Sequence, residues 1–384
     1  MTVGSALAAR PRVGVNLLWL RPGEVGGSEE YLVRQLVGLA EIDAGLDVTV
    51  FGVPALRAAH PELAAAFELV DAPVTGASRP RRVAVESTWL AAQVRRRRLA
   101  LVHHGGGTVP ARTGGAPVVL TVHDLQVLRF PEFFSPPKRA YLRASLPRSV
   151  RRAAAVCVPS AFVAGTVTGA YGIAPERLTV VPHGLPAPAG PVTPAAAVRT
   201  RLALPAGFPD RFVVYPAITH PHKDHVTLLR ALARTPGLGA VLLGGRGRAE
   251  EQVAAEVARL GLGDRVVRPG RIADADRDGC YAAAVALAFP SRYEGFGAPV
   301  LEAMALGCPV VAADATALPE VVGDAGLLVA AGDVEAWAAA LARLAGDPAE
   351  RTRLAAAGRV RAATFTAAHS AHALVRAYRS VLAG

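Results

Sequence analysis

The chain reads as an α/β protein of two doubly wound, Rossmann-like parallel sheets facing a cleft, and three observations predict it. Short apolar runs alternate with amphipathic stretches along almost the whole sequence. The length, 384 residues, is enough for two domains at about 150 residues each. A Pro- and Ala-rich stretch, Leu185 to Pro205, divides the alternation into two halves. The expected domains are therefore 1–190 and 191–366, with a last helix over 367–384.

In the first half, Val13 to Leu20 (VGVNLLWL) is the opening strand, Arg21 to Ser28 a Gly-rich loop and Glu29 to Ala40 an amphipathic helix. Val48 to Val53 and Leu99 to His103 are strands, the latter running into Gly105-Gly106-Gly107. Val118 to Val122 ends at His123-Asp124. Ala153 to Pro159 precedes a helix for which Ser160 is a suitable N-cap, and Leu178 to Val181 closes the unit. The Leu185 to Pro205 linker leads into a short helix. The second half has strands at Phe212 to Ala217, Ala240 to Leu243, Arg265 to Arg268, Val285 to Phe289, Val310 to Ala313 and Leu327 to Val329. Helices are expected over Glu335 to Gly346, Ala349 to Thr364 and Ala367 to Leu382.

Composition narrows the function. Hydrophobic residues make up 52% of the chain, ample for two cores, yet no run of 18 apolar residues indicates a spanning helix. The start, MTVGSALAARPR, lacks the apolar core of a secretory signal. Cys157, Cys280 and Cys308 lie far apart in apolar contexts without metal-ligand spacing, which fits a reducing cytoplasm. The net charge is +11, and Lys138 and Lys223 are the only lysines. Arginines cluster in the first half, at Arg79, Arg81 and Arg82, at Arg95 to Arg98, and around Lys138 to Arg152. Such a surface suits an anionic lipid on the inner membrane face or an anionic acceptor, and equally a solvated helix face. A basic protein for an anionic polymer is the alternative reading from charge alone. Aromatic content of 5%, with no nucleic-acid module, argues against nucleic acid as the partner.

The most informative segment is Ser291 to Gly326. An apolar strand runs into Glu294-Gly295-Phe296-Gly297, then Pro299 suits the first helical position and Gly307 the stop. Strand, loop, helix and strand in that order place the loop at the C-terminal edge of a parallel sheet, where open α/β sheets bind ligands. Glycines there let a backbone approach a ligand, and carboxylates at Glu294 and Glu302 can grip hydroxyls. Glu302 is expected in the first helical turn, where it also complements the dipole without any ligand. Lys223, just after the first strand of the second half, can neutralise a diphosphate leaving group as a compact point charge. His123 at its strand end can donate to a sugar or tune the reacting centre, with Asp124 either orienting the imidazole or capping the next turn. Gly26 and Gly27 follow the first strand and form a loop able to approach a phosphate.

The run EGFGAPVLEAMALGCPVVA resembles the signature of the retaining glycosyltransferases of family 4, which have the GT-B fold, and holds both glutamates of that family's E-x7-E motif. The resemblance implies a nucleotide-diphosphate sugar as donor, Glu294 on the hydroxyls of the transferred sugar and Glu302 on the donor ribose. Backbone amides at Gly295, Phe296 and Gly297 would face sugar and phosphates, and the last helix would cross back to the first domain. It implies His123 near the donor sugar, Gly26 and Gly27 near the phosphates and the acceptor, and a reaction without metal or other cofactor. GDP-mannose is common among such donors, and the acceptor would be a glycan, a lipid-linked sugar or a small molecule. A nucleotide-sugar hydrolase or epimerase on the same fold is the nearest alternative. The family usually pairs the lysine with an arginine five residues earlier. Ile218 stands there in this chain, so His220, His222 or Arg246 is expected to supply the second donor to the diphosphate. The D-x-D runs Asp274 to Asp278 read as helix-start acids rather than metal ligands.

Overall fold

A computed structural model describes residues 10–185 and 191–384. Residues 1–9 of the N-terminal segment read above for a signal, and residues 186–190 of the expected linker, lie outside the described residues. The chain divides into two compact units, with boundaries after Pro186 and after Phe365; the segment from Thr366 to Gly384 groups with the first unit.

The first unit holds seven strands: β1 (Arg12–Asn16), β2 (Asp47–Gly52), β3 (Glu68–Asp71), β4 (Leu101–His104), β5 (Val118–Thr121), β6 (Ala155–Val158) and β7 (Leu178–Val180). Their order is β3-β2-β1-β4-β5-β6-β7, every pairing parallel. The second unit holds β8 (Arg211–Pro216), β9 (Leu238–Leu243), β10 (Val266–Gly270), β11 (Ala286–Phe289), β12 (Val310–Ala313) and β13 (Leu327–Val329). Their order is β10-β9-β8-β11-β12-β13, again all parallel. The predicted class is therefore what the chain adopts. Central strands β5, β6, β11 and β12 are buried along their whole length, as parallel strands covered on both faces must be, which explains their unbroken apolar sequences.

Each sheet reverses its winding direction once. In the first unit the reversal lies between β1 and β4, in the second between β8 and β11. At such a switch point the loops leaving two adjacent strands diverge and open a crevice. The Gly26-Gly27 loop follows β1 and the Gly105–Gly107 loop follows β4. Lys223 follows β8 and Glu294 follows β11.

Three local expectations change. The opening strand ends at Asn16 rather than Leu20. Leu17, Leu18 and Leu20 are fully buried, but Leu20 N donates to Leu17 O at 2.9 Å and Leu18 N to Asn16 Oδ1 at 3.0 Å, so the apolar run is a buried turn. The edge strand β3 was not expected: its four residues, ELVD, carry only two apolar side chains. Glu302 is the fifth residue of the helix Ala298–Ala305, beyond the first turn in which the sequence placed it.

The helix Ala367–Leu382 packs on the helix Gly27–Glu41 and on β6. Gly38 permits this: a Cβ there would run into the backbone carbonyl of Ala367. Polar contacts fix the dock. Tyr378 Oη lies 2.8 Å from His103 Nδ1, and Ser370 Oγ donates to Pro182 O at 2.6 Å. Many arginines cap carbonyls rather than face solvent. Arg265 donates to the carbonyls of Leu232, Thr235 and Leu238, and Arg152 to those of Pro110 and Ala111. Part of the basic composition is thus spent on carbonyls that helix ends and loops leave open.

Candidate active site

In the second unit, β8 ends at Pro216 and the chain passes through a short 3-10 turn, Pro221–Lys223. Arg292, in the loop after β11, ties this turn to its own segment. Its backbone N donates to His222 O at 2.8 Å, and its Nε donates to Asp224 Oδ2 at 2.7 Å. Asp224 itself sits in the left-handed region, φ 51°, and its Oδ2 also accepts from Thr227 Oγ1 at 2.7 Å. Tyr215 Oη donates to Lys223 O at 2.6 Å. These contacts leave Lys223 and Glu294 facing one another across the β8/β11 switch point, with Nζ donating to Oε1 at 2.6 Å. The side chains are 20% and 13% exposed, so the pair is largely out of water yet open to a ligand. Lys223 Nζ also stands 5.8 Å from the centre of the Phe289 ring, on the last residue of β11.

The loop after Glu294 has the special backbone its glycines suggested. Gly297 has φ 102°, and a Cβ there would come within 2.6 Å of Leu318. Phe296 is buried against Phe365, with ring centres 5.9 Å apart. Glu294 N donates to Thr316 Oγ1 at 3.0 Å. Thr316 holds φ 55°, an outlier for a β-branched residue and a mark of a backbone constrained by its surroundings. Thr316, Asp224 and Arg292 were not singled out from the sequence. Their contacts span 22 residues and 68 residues, and only the folded sheet brings them together.

Glu302 is 9% exposed, and its Oε2 lies 3.9 Å from Arg277 Nε. Arg277 also donates to Asp274 at 2.9 Å and to Asp278 at 3.1 Å. Asp276 accepts from Thr193 at 2.8 Å and from Arg201 at 3.0 Å. The D-x-D carboxylates are therefore engaged with cations and a hydroxyl, and no cluster of three or more metal-ligating side chains occurs among the described residues.

The candidates for a second cation separate clearly. Burial, reinforced by the Lys223 charge, brings His222 down to about 3, and His220 is shifted down for the same reasons. Both are neutral near pH 7. Arg246 keeps its charge; its side chain is 88% exposed, 3.6 Å from Glu250. The structure therefore does not place it beside the Lys223–Glu294 pair through any direct contact among the described residues.

In the first unit, His123 Nε2 lies 2.8 Å from Gly105 O. A carbonyl only accepts, so Nε2 carries the proton and Nδ1 presents a lone pair. The ring packs edge-on to Tyr31, 5.4 Å between centres, and burial brings its pKa to about 4. His123 thus stands neutral with Nδ1 as an acceptor, its Nε2 proton engaged by the Gly105 carbonyl. Asp124 Oδ1 accepts from Gln126 N at 2.9 Å, so the capping alternative describes that contact. Gly26 has φ 74° at the N-cap of the helix Gly27–Glu41, a conformation glycine adopts freely. Glu29 holds this loop, accepting from Gly23 N at 2.9 Å and lying 2.8 Å from His60 Nε2.

Comparison with known proteins identifies the two units separately. The model of the family "Glycosyl transferases group 1" matches residues 205–361, and that of "Glycosyltransferase Family 4" matches residues 25–187. The O-antigen chain mannosyltransferase B of Escherichia coli is 29% identical over 68% of this chain and 70% of its own length. The D-inositol 3-phosphate glycosyltransferase of Thermobispora bispora is 31% identical over 70% of this chain and 66% of its own, and that of Kineococcus radiotolerans 35% identical over 54% and 53%. The chain thus spans only about half to two thirds of most of these relatives. Among solved structures, a sucrose-phosphate synthase from Thermosynechococcus elongatus superposes with TM-score 0.75 at 24% identity, covering 97% of this chain and all of the other. HepE of Anabaena, in complex with UDP and glucose, gives TM-score 0.75 at 21% identity, covering 96% and 100%. These two likenesses establish the fold. With a glycosyltransferase family matched on each unit and the two-sheet fold common to both comparisons, the chain belongs to the family 4 glycosyltransferases of the GT-B fold.

Proposed function

We propose that the chain transfers a sugar from a nucleotide-diphosphate sugar to a hydroxyl acceptor with retention of anomeric configuration, without a metal ion. The observation that carries this reading is the Lys223–Glu294 pair, 2.6 Å apart at the β8/β11 switch point. A cation there is placed to meet the departing diphosphate, and preorganised charge of this kind is the largest usual contribution to such a step. Glu294 holds the ammonium in place and offers its second oxygen to a sugar hydroxyl, while Glu302 takes the ribose.

In the reaction, the bond from the anomeric carbon to the diphosphate oxygen breaks and a bond to the acceptor oxygen forms on the same face. The acceptor proton passes to the departing diphosphate. The products are the glycosylated acceptor and a nucleoside diphosphate. The acceptor is a glycan, a lipid-linked sugar or a small molecule. For the donor, the likeness to a mannosyltransferase supports GDP-mannose, whereas HepE, bound to UDP, supports a uridine donor.

Product analysis by proton NMR tests the reading. The anomeric coupling of the product should match that of the donor, and EDTA should leave the rate unchanged. An inverted product, or free sugar released at the same rate with and without acceptor, contradicts it. The second result would favour the hydrolase alternative.

A further inference from the structure

Glu29 is a buried carboxylate that the reaction above does not use. It stands in the first turn of the helix Gly27–Glu41, yet it is only 7% exposed. Its neighbour Glu30 shows the ordinary arrangement: the side chain is 46% exposed and pairs with Arg34 one turn on, at 2.9 Å. A carboxylate taken out of water is costly unless its oxygens are hydrogen-bonded. Both oxygens of Glu29 have partners. Oε2 accepts from Gly23 N at 2.9 Å, and Oε1 lies 2.8 Å from His60 Nε2. His60, 31 residues further along the chain, joins the helices Ala55–Ala59 and Pro61–Ala66, and the second of these packs on the helix that bears Glu29. His60 Nδ1 lies 3.1 Å from Glu62 Oε1. Glu62, His60, Glu29 and Gly23 N thus form one chain of contacts that ties the loop after β1 to a separate element.

The loop so tied presents bare backbone. A Cβ at Gly23, Gly26 or Gly27 would meet nothing within 4 Å. Positive φ accounts for glycine at Gly23 and Gly26, 76° and 74°. Gly27 is helical and has no neighbour to avoid, so neither conformation nor packing calls for glycine there. Open space beside this backbone, on a loop leaving β1 at the switch point of the first sheet, fits close approach by a substrate. A loop this rich in glycine is also costly to order, and substrate gains from a backbone already in place. The near end of the loop is closed by a local turn, Glu24 N to Arg21 O at 3.0 Å, and by the exposed Arg21–Glu24 pair at 2.5 Å. Exposed pairs of that kind hold little on their own.

We propose that Glu29 and His60 are positioning residues for the transfer reaction: they fix the backbone of Gly23 to Gly27 where substrate meets it, without touching substrate themselves. The inference rests on the glycosyltransferase reading above. Glu29→Gln separates placement from charge. Its amide oxygen can still accept from Gly23 N and its amide N–H can meet the imidazole, whereas Glu29→Ala and His60→Ala cut the chain at two different points.

Two measurements on the full chain test this: hydrogen exchange of peptides covering residues 21–28, and turnover of UDP-glucose and GDP-mannose followed as nucleoside diphosphate released. Titration calorimetry with UDP and GDP reports the donor site at Lys223 separately. Glu29→Ala should speed exchange of the loop by about tenfold or more and lower kcat by roughly ten- to a hundredfold. UDP and GDP affinity should stay within about threefold of the native value, since Lys223 belongs to the other unit. His60→Ala, a milder change at a side chain nearer the surface, should move exchange and kcat in the same direction. Glu29→Gln should keep native exchange and most of the turnover. Faster exchange with native kcat overturns the proposal, because the loop then plays no part in the reaction. Turnover that falls only with the melting temperature, while the loop exchanges at the native rate, assigns a merely structural role and also overturns it. Glu29→Gln as impaired as Glu29→Ala contradicts placement as the cause. A native chain that binds neither nucleotide and turns over neither sugar fails the transferase reading instead, and the exchange rates, which need no substrate, still uphold or overturn the clasp.

Discussion

Lys223 Nζ donates to Glu294 Oε1 across 71 residues of sequence, joining the ends of two adjacent strands at the point where the second sheet reverses direction. Neither charge is well solvated, so each depends on the other. Lys223→Ala should lower kcat/KM by about a hundred- to a thousandfold if the ammonium meets the leaving group. It should also destabilise the fold by roughly 1–3 kcal/mol, because a half-dried carboxylate loses its cation. Adding Glu294→Gln to Lys223→Ala should recover part of that stability but none of the activity. Urea denaturation beside steady-state kinetics separates the two effects, and a double variant no more stable than Lys223→Ala would contradict the coupling.

Thr316 holds a left-handed backbone and accepts from Glu294 N. Thr316→Val keeps the shape but removes the acceptor, and should lower turnover by about tenfold through misplacement of the Glu294 loop. Thr316→Asn tolerates the left-handed region better and retains an oxygen, and should keep most of the activity while raising stability. Equal activity in both variants would show that Thr316 plays no part in positioning Glu294.

Gly297 has φ 102° and no room for a Cβ beside Leu318. Gly297→Ala should cost about 1–3 kcal/mol of stability. It should also weaken nucleotide-sugar binding at least about tenfold, since the loop that bears Glu294 must move. Gly45, in the first unit, also has positive φ, 67°, but nothing within 4 Å of its Cβ position. Gly45→Ala should affect stability alone, and titration calorimetry of the two variants distinguishes the cases.

Strands β9, β11 and β12 of the second unit were readable because each is a short, fully buried apolar run followed by Gly, Pro or Asp, the signature of a strand covered on both faces. β3 was not, since two apolar residues at a sheet edge make no pattern. Val13 to Leu20 was over-read for the opposite reason: burial continues through Leu17, Leu18 and Leu20, while the backbone has already turned. The resemblance carried Glu294, Glu302 and Lys223 because it lies in one contiguous motif and one unusual lysine. What supports them could not be read in the same way. Arg292 with Asp224, Thr316 with Glu294 N, and Arg277 with Glu302 are pairs set by strand order, and strand order leaves no local trace. The protonation of His123 was likewise invisible until the Gly105 carbonyl appeared 2.8 Å from its Nε2.

Buried histidines give the chain a pH dependence of definite sign. Burial lowers His103, His104 and His222 to about 3, and His123 and His225 to about 4. Their unfolded values lie near 6.5. Below pH 6.5 the unfolded chain takes up protons that the folded chain refuses, so stability present at pH 7 is lost as pH falls toward 4. Each such histidine contributes a slope of up to about 1.4 kcal/mol per pH unit in that window. Urea midpoints at pH 7, 6 and 5 should fall steadily. His103→Gln, which can keep a contact to Tyr378 or Thr121, should flatten the slope by about one proton. A stability independent of pH between 7 and 5 contradicts the neutral burial of these side chains.

The most direct measurement is a thermal-shift panel of UDP-, GDP-, ADP- and dTDP-sugars, each with and without EDTA, on the native chain and on Lys223→Ala. The account predicts that one nucleotide class raises the melting temperature of the native chain, that EDTA leaves the shift intact, and that Lys223→Ala loses most of it. No shift with any donor, or an equal shift in Lys223→Ala, would contradict a donor site built on the Lys223–Glu294 pair.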